Sequence, residues 1–130
     1  MTTEVKRKAI PKRIRLKVYD KCAGHCAYCG CDLEYKDMQV EHVKPLSICG
    51  ADTIDNMLPA CRSCNHYKST LDLEDFRKWL RGLHNRMLRD NVNYRTLNRF
   101  GLISHKDEPI EFYFERMKGN ADTANKKEMV

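Results

Sequence analysis

Two Cys-x-x-Cys pairs constrain this chain more than any other feature: Cys26 with Cys29, and Cys61 with Cys64, about 30 residues apart. A two-residue gap lets both sulfurs of a tight turn face one ion. Two such turns complete a tetrahedral four-thiolate zinc site. Gly30, directly after Cys29, eases the first turn. Four thiolates leave no open position for water, so the predicted site is structural. It staples two segments far apart in sequence, and in a small domain such a staple supplies a large share of the folding free energy. Cys22, Cys31 and Cys49 are left over, and seven thiols cannot all pair as disulfides. His25 and Cys31 compete as ligands by proximity, but neither belongs to a second well-spaced pair. Surface or half-buried roles are expected for both.

The 130 residues allow one domain with a modest core. No apolar run approaches the ~20 residues of a membrane-spanning helix, and the lysine- and arginine-rich start carries no apolar leader segment. The expected setting is therefore cytoplasmic and reducing, with no membrane partner, where clustered cysteines hold metal more often than disulfides. The net charge of +6 favours polyanions. The basic residues cluster at Lys6–Lys17 and again from Arg77 to Arg89, although a solvated helix face explains either cluster alone.

Residues 1–9 read as a flexible basic arm, 10–118 as one domain with a C-terminal extension, and 119–130 as a polar, disordered tail. Ile14, Val18 and Cys22 recur at four-residue spacing behind Pro11, which predicts a helix over 11–22. Residues 38–43 have strand character, 44–55 form a loop, and 56–60 suggest a short second strand ended by Pro59. A helix is expected from near Cys64. Another starts at Leu71–Phe76 and continues through Trp79, Leu80, Leu83 and Met87 as a packed face. The alternation in Ile110–Glu115 predicts a third strand. Residues 91–109 carry no clear pattern. His84 and His105 have no partner pattern and are given no functional role.

Between the knuckles lies Glu41-His42-Val43-Lys44-Pro45, then Asn56-Met57-Leu58, and the second knuckle runs into Cys61-Arg62-Ser63-Cys64-Asn65-His66-Tyr67-Lys68. In order and spacing these stretches, with both Cys-x-x-Cys pairs, resemble the zinc-stapled branch of the HNH endonuclease family. The resemblance covers roughly residues 15–72. It implies an α+β fold: a small ββα-metal (His-Me finger) core with a structural four-cysteine zinc site and flanking helices. It also implies an enzyme, a divalent-metal-dependent DNA endonuclease of phage or mobile-element type, working in the cytoplasm of a bacterial or phage-infected cell.

By match to the motifs, His42 is the general base that activates water, a task suited to an imidazole. Glu41 is a ligand to a catalytic Mg²⁺ or Mn²⁺, which offsets charge on the phosphate and the leaving 3′ oxygen. Many relatives carry aspartate there. Asn65 is the second ligand to that ion, with His66 the alternative; an oxygen donor suits Mg²⁺ better. Asn56 holds the long loop through side-chain hydrogen bonds and so positions His42. Lys68, three residues after Asn65, is read as a DNA phosphate contact. A homodimer, paired through the strand at Ile110–Glu115, would favour double-strand cutting. The competing readings are a non-catalytic zinc-stapled nucleic-acid-binding module, with Glu41 and His42 incidental, and a protein-interaction zinc domain.

Overall fold

In the computed structural model the described residues are 9–118. All of the expected basic arm except Ala9, and the whole tail at 119–130, lie outside them. Helix α1 (Lys12–Asp20) begins directly after Pro11 and buries Val18. Strands β1 (Gln39–His42) and β2 (Met57–Ala60) form a two-stranded antiparallel sheet. The register pairs Gln39 with Ala60, Val40 with Pro59, Glu41 with Leu58 and His42 with Met57. Pro59 therefore lies inside the second strand. A two-stranded sheet is all edge, so a residue without an N–H costs it little.

Helix α2 (Arg62–Lys68) follows at once, capped at its start by Cys61, whose sulfur accepts from the Cys64 N–H. Asp72 caps helix α3 (Leu73–Arg81) by accepting from the Asp75 N–H. The apolar face expected to run unbroken to Met87 is interrupted at Gly82, where α3 stops and α4 (Leu83–Asp90) starts. A Cβ at Gly82 would come within 2.7 Å of the Arg86 guanidinium. Helix α5 (Val92–Arg99), capped by Asn91, occupies the stretch that showed no pattern.

The core has two parts. One gathers Cys26, Ala27, Tyr28, Ala60, Phe76 and Phe112 beside the knuckles. The other places Val18, Leu33, Met38 and Met57 between α1 and the sheet. In the first part Tyr28 meets Phe76 and Phe112 edge to face, at 5.6 and 5.2 Å between ring centres, a favoured aromatic geometry.

The strand expected at Ile110–Glu115 does not form. Residues 110–112 are irregular and 113–118 are helical. Phe112 is buried, and the N–H groups of Tyr113 and Phe114 donate to the carbonyls of Tyr28 and Ala27. The segment thus docks on the first knuckle, and it offers no strand edge for pairing with a second copy. Among the described residues no helix is long and apolar enough to cross a membrane.

Candidate active site and metal centre

The thiols converge. The sulfurs of Cys26, Cys29, Cys31 and Cys61 all lie within 4.8 Å of one another, and this group can hold a metal ion. The Cys29 and Cys61 sulfurs are 3.9 Å apart, close to the ~3.8 Å edge of a tetrahedron built on Zn–S bonds of ~2.3 Å. Backbone N–H groups also point at sulfur, from Cys61 to Cys26 at 3.3 Å and from Cys64 to Cys61 at 3.4 Å. The Cys26 thiol is held down to about 4, first by the hydrogen bond from Cys64 and also by backbone N–H groups. Cys64 is pushed up by that same hydrogen bond. A central dication would be held by these converging sulfurs as thiolates.

Cys31 differs from the expectation. Its spacing predicts an ordinary half-buried or surface cysteine, yet its sulfur joins the nest, so five thiols compete for four positions. Cys64 remains in contact through Cys26 and Cys61. A cysteine two residues after Cys29 was the available signal, and the Cys-x-x-Cys rule passes over it.

In β1 the neighbours Glu41 and His42 point to opposite sides, as strand geometry requires. Glu41 turns inward and is only 4% exposed. Its Oε1 accepts from Lys68 Nζ at 2.6 Å, and its Oε2 accepts from the Tyr28 hydroxyl. Burial pushes the Glu41 carboxyl up from its ordinary value, while Lys68 and Tyr28 pull it down. Tyr28 is driven up, first by burial and then by the charge of Glu41.

Lys68 is not a surface cation. Its side chain is fully buried and also donates to the carbonyls of His42 (3.1 Å) and Leu71 (2.9 Å). Three acceptors use all three ammonium protons. A phosphate contact through Lys68 is therefore closed off: the shared helix face with Asn65 faces the sheet and not solvent. Lys68 instead locks α2 onto β1.

His42 faces the loop at 44–56, and its Nε2 lies 2.9 Å from Asp52 Oδ1. Asn56 organises that loop with three hydrogen bonds. Its Oδ1 accepts from the Lys44 N–H at 2.9 Å, and its Nδ2 donates to the carbonyls of Lys44 and Ala51, both at 2.8 Å. Gly50 closes the loop by close approach, since a Cβ there would stand 1.8 Å from the Lys44 carbonyl oxygen. Nothing in the sequence marks Asp52. It is a polar loop residue without a motif, and only the closed loop brings it to His42.

Despite their opposite directions, Glu41 and His42 line one cavity of about 100 Å³, with Asn65, Ser69 and Ser47 among its other walls. Asn65 is half-buried there, and its side-chain amide makes no protein hydrogen bond among the described residues. His66 is exposed, is not among the cavity's walls, and meets Tyr67 edge to face. Ser69 ends α2 at φ +47°, ψ −123°, a conformation costly for a residue with a side chain. A larger hollow of about 570 Å³, lined by Leu58, Phe114 and Met117, is mostly apolar. The acid, imidazole and amide converge on the smaller cavity.

The donor set suits a hard cation. Each Glu41 oxygen uses one hydrogen bond and keeps a lone pair, and the Asn65 amide oxygen is uncommitted among the described residues. Elsewhere, His84 and His105 stack at 4.1 Å between ring centres, and Tyr94 holds the first at 2.7 Å from Nδ1. This contact ties α4 and α5 to the following loop, well apart from the cavity in the chain.

Against known proteins, the family model described as HNH endonuclease matches residues 26–80, less than half of the chain. No curated protein sequence matches. Among solved structures, the type II-C Cas9 enzyme from Actinomyces naeslundii is similar at 21% identity and a TM-score of 0.46. That likeness covers 55% of this chain and 9% of the Cas9 chain. Both thiol pairs, the β1–loop–β2 unit, α2 and the cavity fall within the matched segment. The likeness to the HNH endonuclease family is thus to its family model, over residues 26–80.

Proposed function

We propose that this protein is a metal-dependent endonuclease that hydrolyses phosphodiester bonds in DNA. The observation that carries this reading is the convergence of Glu41, His42 and Asn65 on one cavity within the family-matched segment. Glu41 and Asn65 would hold a divalent ion, Mg²⁺ or Mn²⁺, which when bound supplies charge stabilisation to the phosphate and the leaving oxygen. The chain's own residues do the rest. His42, from the other side of β1, takes the proton of the attacking water. Asn56 keeps the loop closed and so keeps His42 in position.

The buried Lys68–Glu41 pair fixes the height of α2 above the sheet, and with it the distance from Asn65 to Glu41. The thiol nest of Cys26, Cys29, Cys61 and Cys64, with Cys31 beside it, would hold a structural Zn²⁺. That ion would tie the start of the ββα unit to its helix. The net charge of +6 favours association with a polyanion.

Zinc-loaded protein incubated with supercoiled plasmid, with and without Mg²⁺ or Mn²⁺, tests this function. The expected result is nicked or linear product that requires the divalent ion and disappears in His42→Ala. Salt-dependent binding without cleavage, unaltered in His42→Ala, would favour the non-catalytic binding module instead.

A further inference from the structure

We infer that Asp52 is a positioning residue: its carboxylate holds the His42 proton on Nε2 and leaves Nδ1 as the bare nitrogen that accepts a proton. The catalytic half of this inference rests on the nuclease reading above. The hydrogen-bond half stands on geometry alone.

The argument starts from acceptor chemistry. An ionised carboxylate can only accept hydrogen bonds. At 2.9 Å between His42 Nε2 and Asp52 Oδ1, the shared hydrogen therefore belongs to the ring. In a neutral imidazole that assigns the other nitrogen, Nδ1, as the acceptor. Nδ1 makes no protein hydrogen bond among the described residues. Among them, the only buried side-chain nitrogen or oxygen without a partner is His25 Nδ1. His42 Nδ1 is thus open rather than sealed, on a ring that is only 13% exposed and lines the cavity.

The loop is built to deliver Asp52. The Asn56 amide binds the carbonyl of Ala51, the residue immediately before it. Gly50 donates its N–H to the Pro45 carbonyl at 2.9 Å, in a space that admits no side chain at position 50. Both anchors lie directly before Asp52 in the chain, and they fix the turn that faces the imidazole. A carboxylate partner that fixes ring orientation and tautomer is a general way to ready a histidine for proton transfer. Asp52 is itself 63% exposed, so its effect should be smaller than that of a fully buried acid.

The experiment has two arms. In the first, ¹⁵N-labelled protein is examined by long-range ¹H–¹⁵N correlation on the neutral imidazole of His42. The expected wild-type pattern is the Nε2–H tautomer, shifting to a mixture in Asp52→Ala. A wild-type ring with its proton on Nδ1, or a pattern identical in Asp52→Ala, overturns the inference whatever the protein does to DNA. In the second arm, cleavage by Asp52→Ala should fall about tenfold in kcat, with KM within about twofold. Asp52→Glu should recover part of the loss, which a merely structural role would not produce. An unchanged kcat refutes the positioning role. A wild type that cleaves no DNA under any metal condition removes the nuclease reading and the catalytic half with it, while the tautomer result still judges the hydrogen bond.

Discussion

The segment at 26–80 and the α4–α5 hairpin at 83–99 are each rich in helix, yet they are held in different ways. The first contributes Cys26, Ala27, Tyr28, Ala60 and Phe76 to one buried cluster, and carries the thiol nest and the buried Lys68–Glu41 pair. The hairpin buries no residue fully. It exposes Val92 and Leu97, and Phe100 directly after it is 73% exposed. It is joined by the Asn91 cap, the His84–Tyr94 hydrogen bond and the His84–His105 stack. The difference teaches where order is specified. A domain of this size cannot build a large apolar core, so it concentrates its thiol nest and its buried polar contacts in one segment.

Removing the proposed structural Zn²⁺ should break that contrast most severely. With a strong chelator, or in Cys61→Ser, residues 26–80 should lose their fixed structure and all cleavage should stop. Cys49→Ser, outside the nest, should retain both. Circular dichroism with a colorimetric zinc release assay reads the effect.

Next in size is Lys68→Met, which leaves the Glu41 carboxylate buried without its cation. The expected loss is about 3–5 kcal/mol in urea unfolding. A loss below about 1 kcal/mol would mean that Lys68 acts as an ordinary surface residue.

Asn56→Ala removes three hydrogen bonds from the loop. At about 1 kcal/mol each the stability should fall by about 2–3 kcal/mol. Cleavage should drop further than the folded fraction does, because His42 loses its loop.

A pH test separates the C-terminal docking from the staple. Arg77 grips Glu115 with two nitrogens, at 2.8 and 2.9 Å, and this holds the Glu115 carboxyl below its ordinary 4.5. A depressed carboxylate stabilises the fold above its unfolded value, and that stability is lost as pH falls through the lower folded value. The Tm gap between wild type and Glu115→Gln should therefore be full at neutral pH and shrink as acid is added below about 4.5. A gap that widens in acid would contradict the pairing.

The smallest effect belongs to the hairpin. Leu97→Ala, at an exposed position, should change stability by no more than about 0.5 kcal/mol and leave cleavage intact.

Much of the fold could be read from local pattern. The four-residue spacing of Ile14 and Val18 marks α1, and the paired thiols announce the nest that precedes and caps α2. Other features depend on contacts that no local pattern encodes. The alternation at Ile110–Glu115 is real, but Phe112 and its neighbours use it to dock on Tyr28 rather than to extend a sheet. Helical spacing put Lys68 on the face of Asn65, while only the packed fold reveals that this face looks inward to Glu41. Asp52 is the clearest case. It gains meaning from Asn56, Gly50 and the return of the loop, none of which marks it in sequence. Gly82 shows the converse, a single residue that divides an otherwise continuous helical face.

The central claim is that the chemistry resides at the cavity between β1 and α2 and not at the thiols. The most direct measurement is a Mn²⁺ titration of zinc-loaded, ¹⁵N-labelled protein followed by paramagnetic line broadening. Signals of Glu41, His42, Asn65 and Ser69 are predicted to vanish first, with those of α5 untouched. Broadening centred on the cysteine nest, or spread evenly over the acidic surface, would contradict the account.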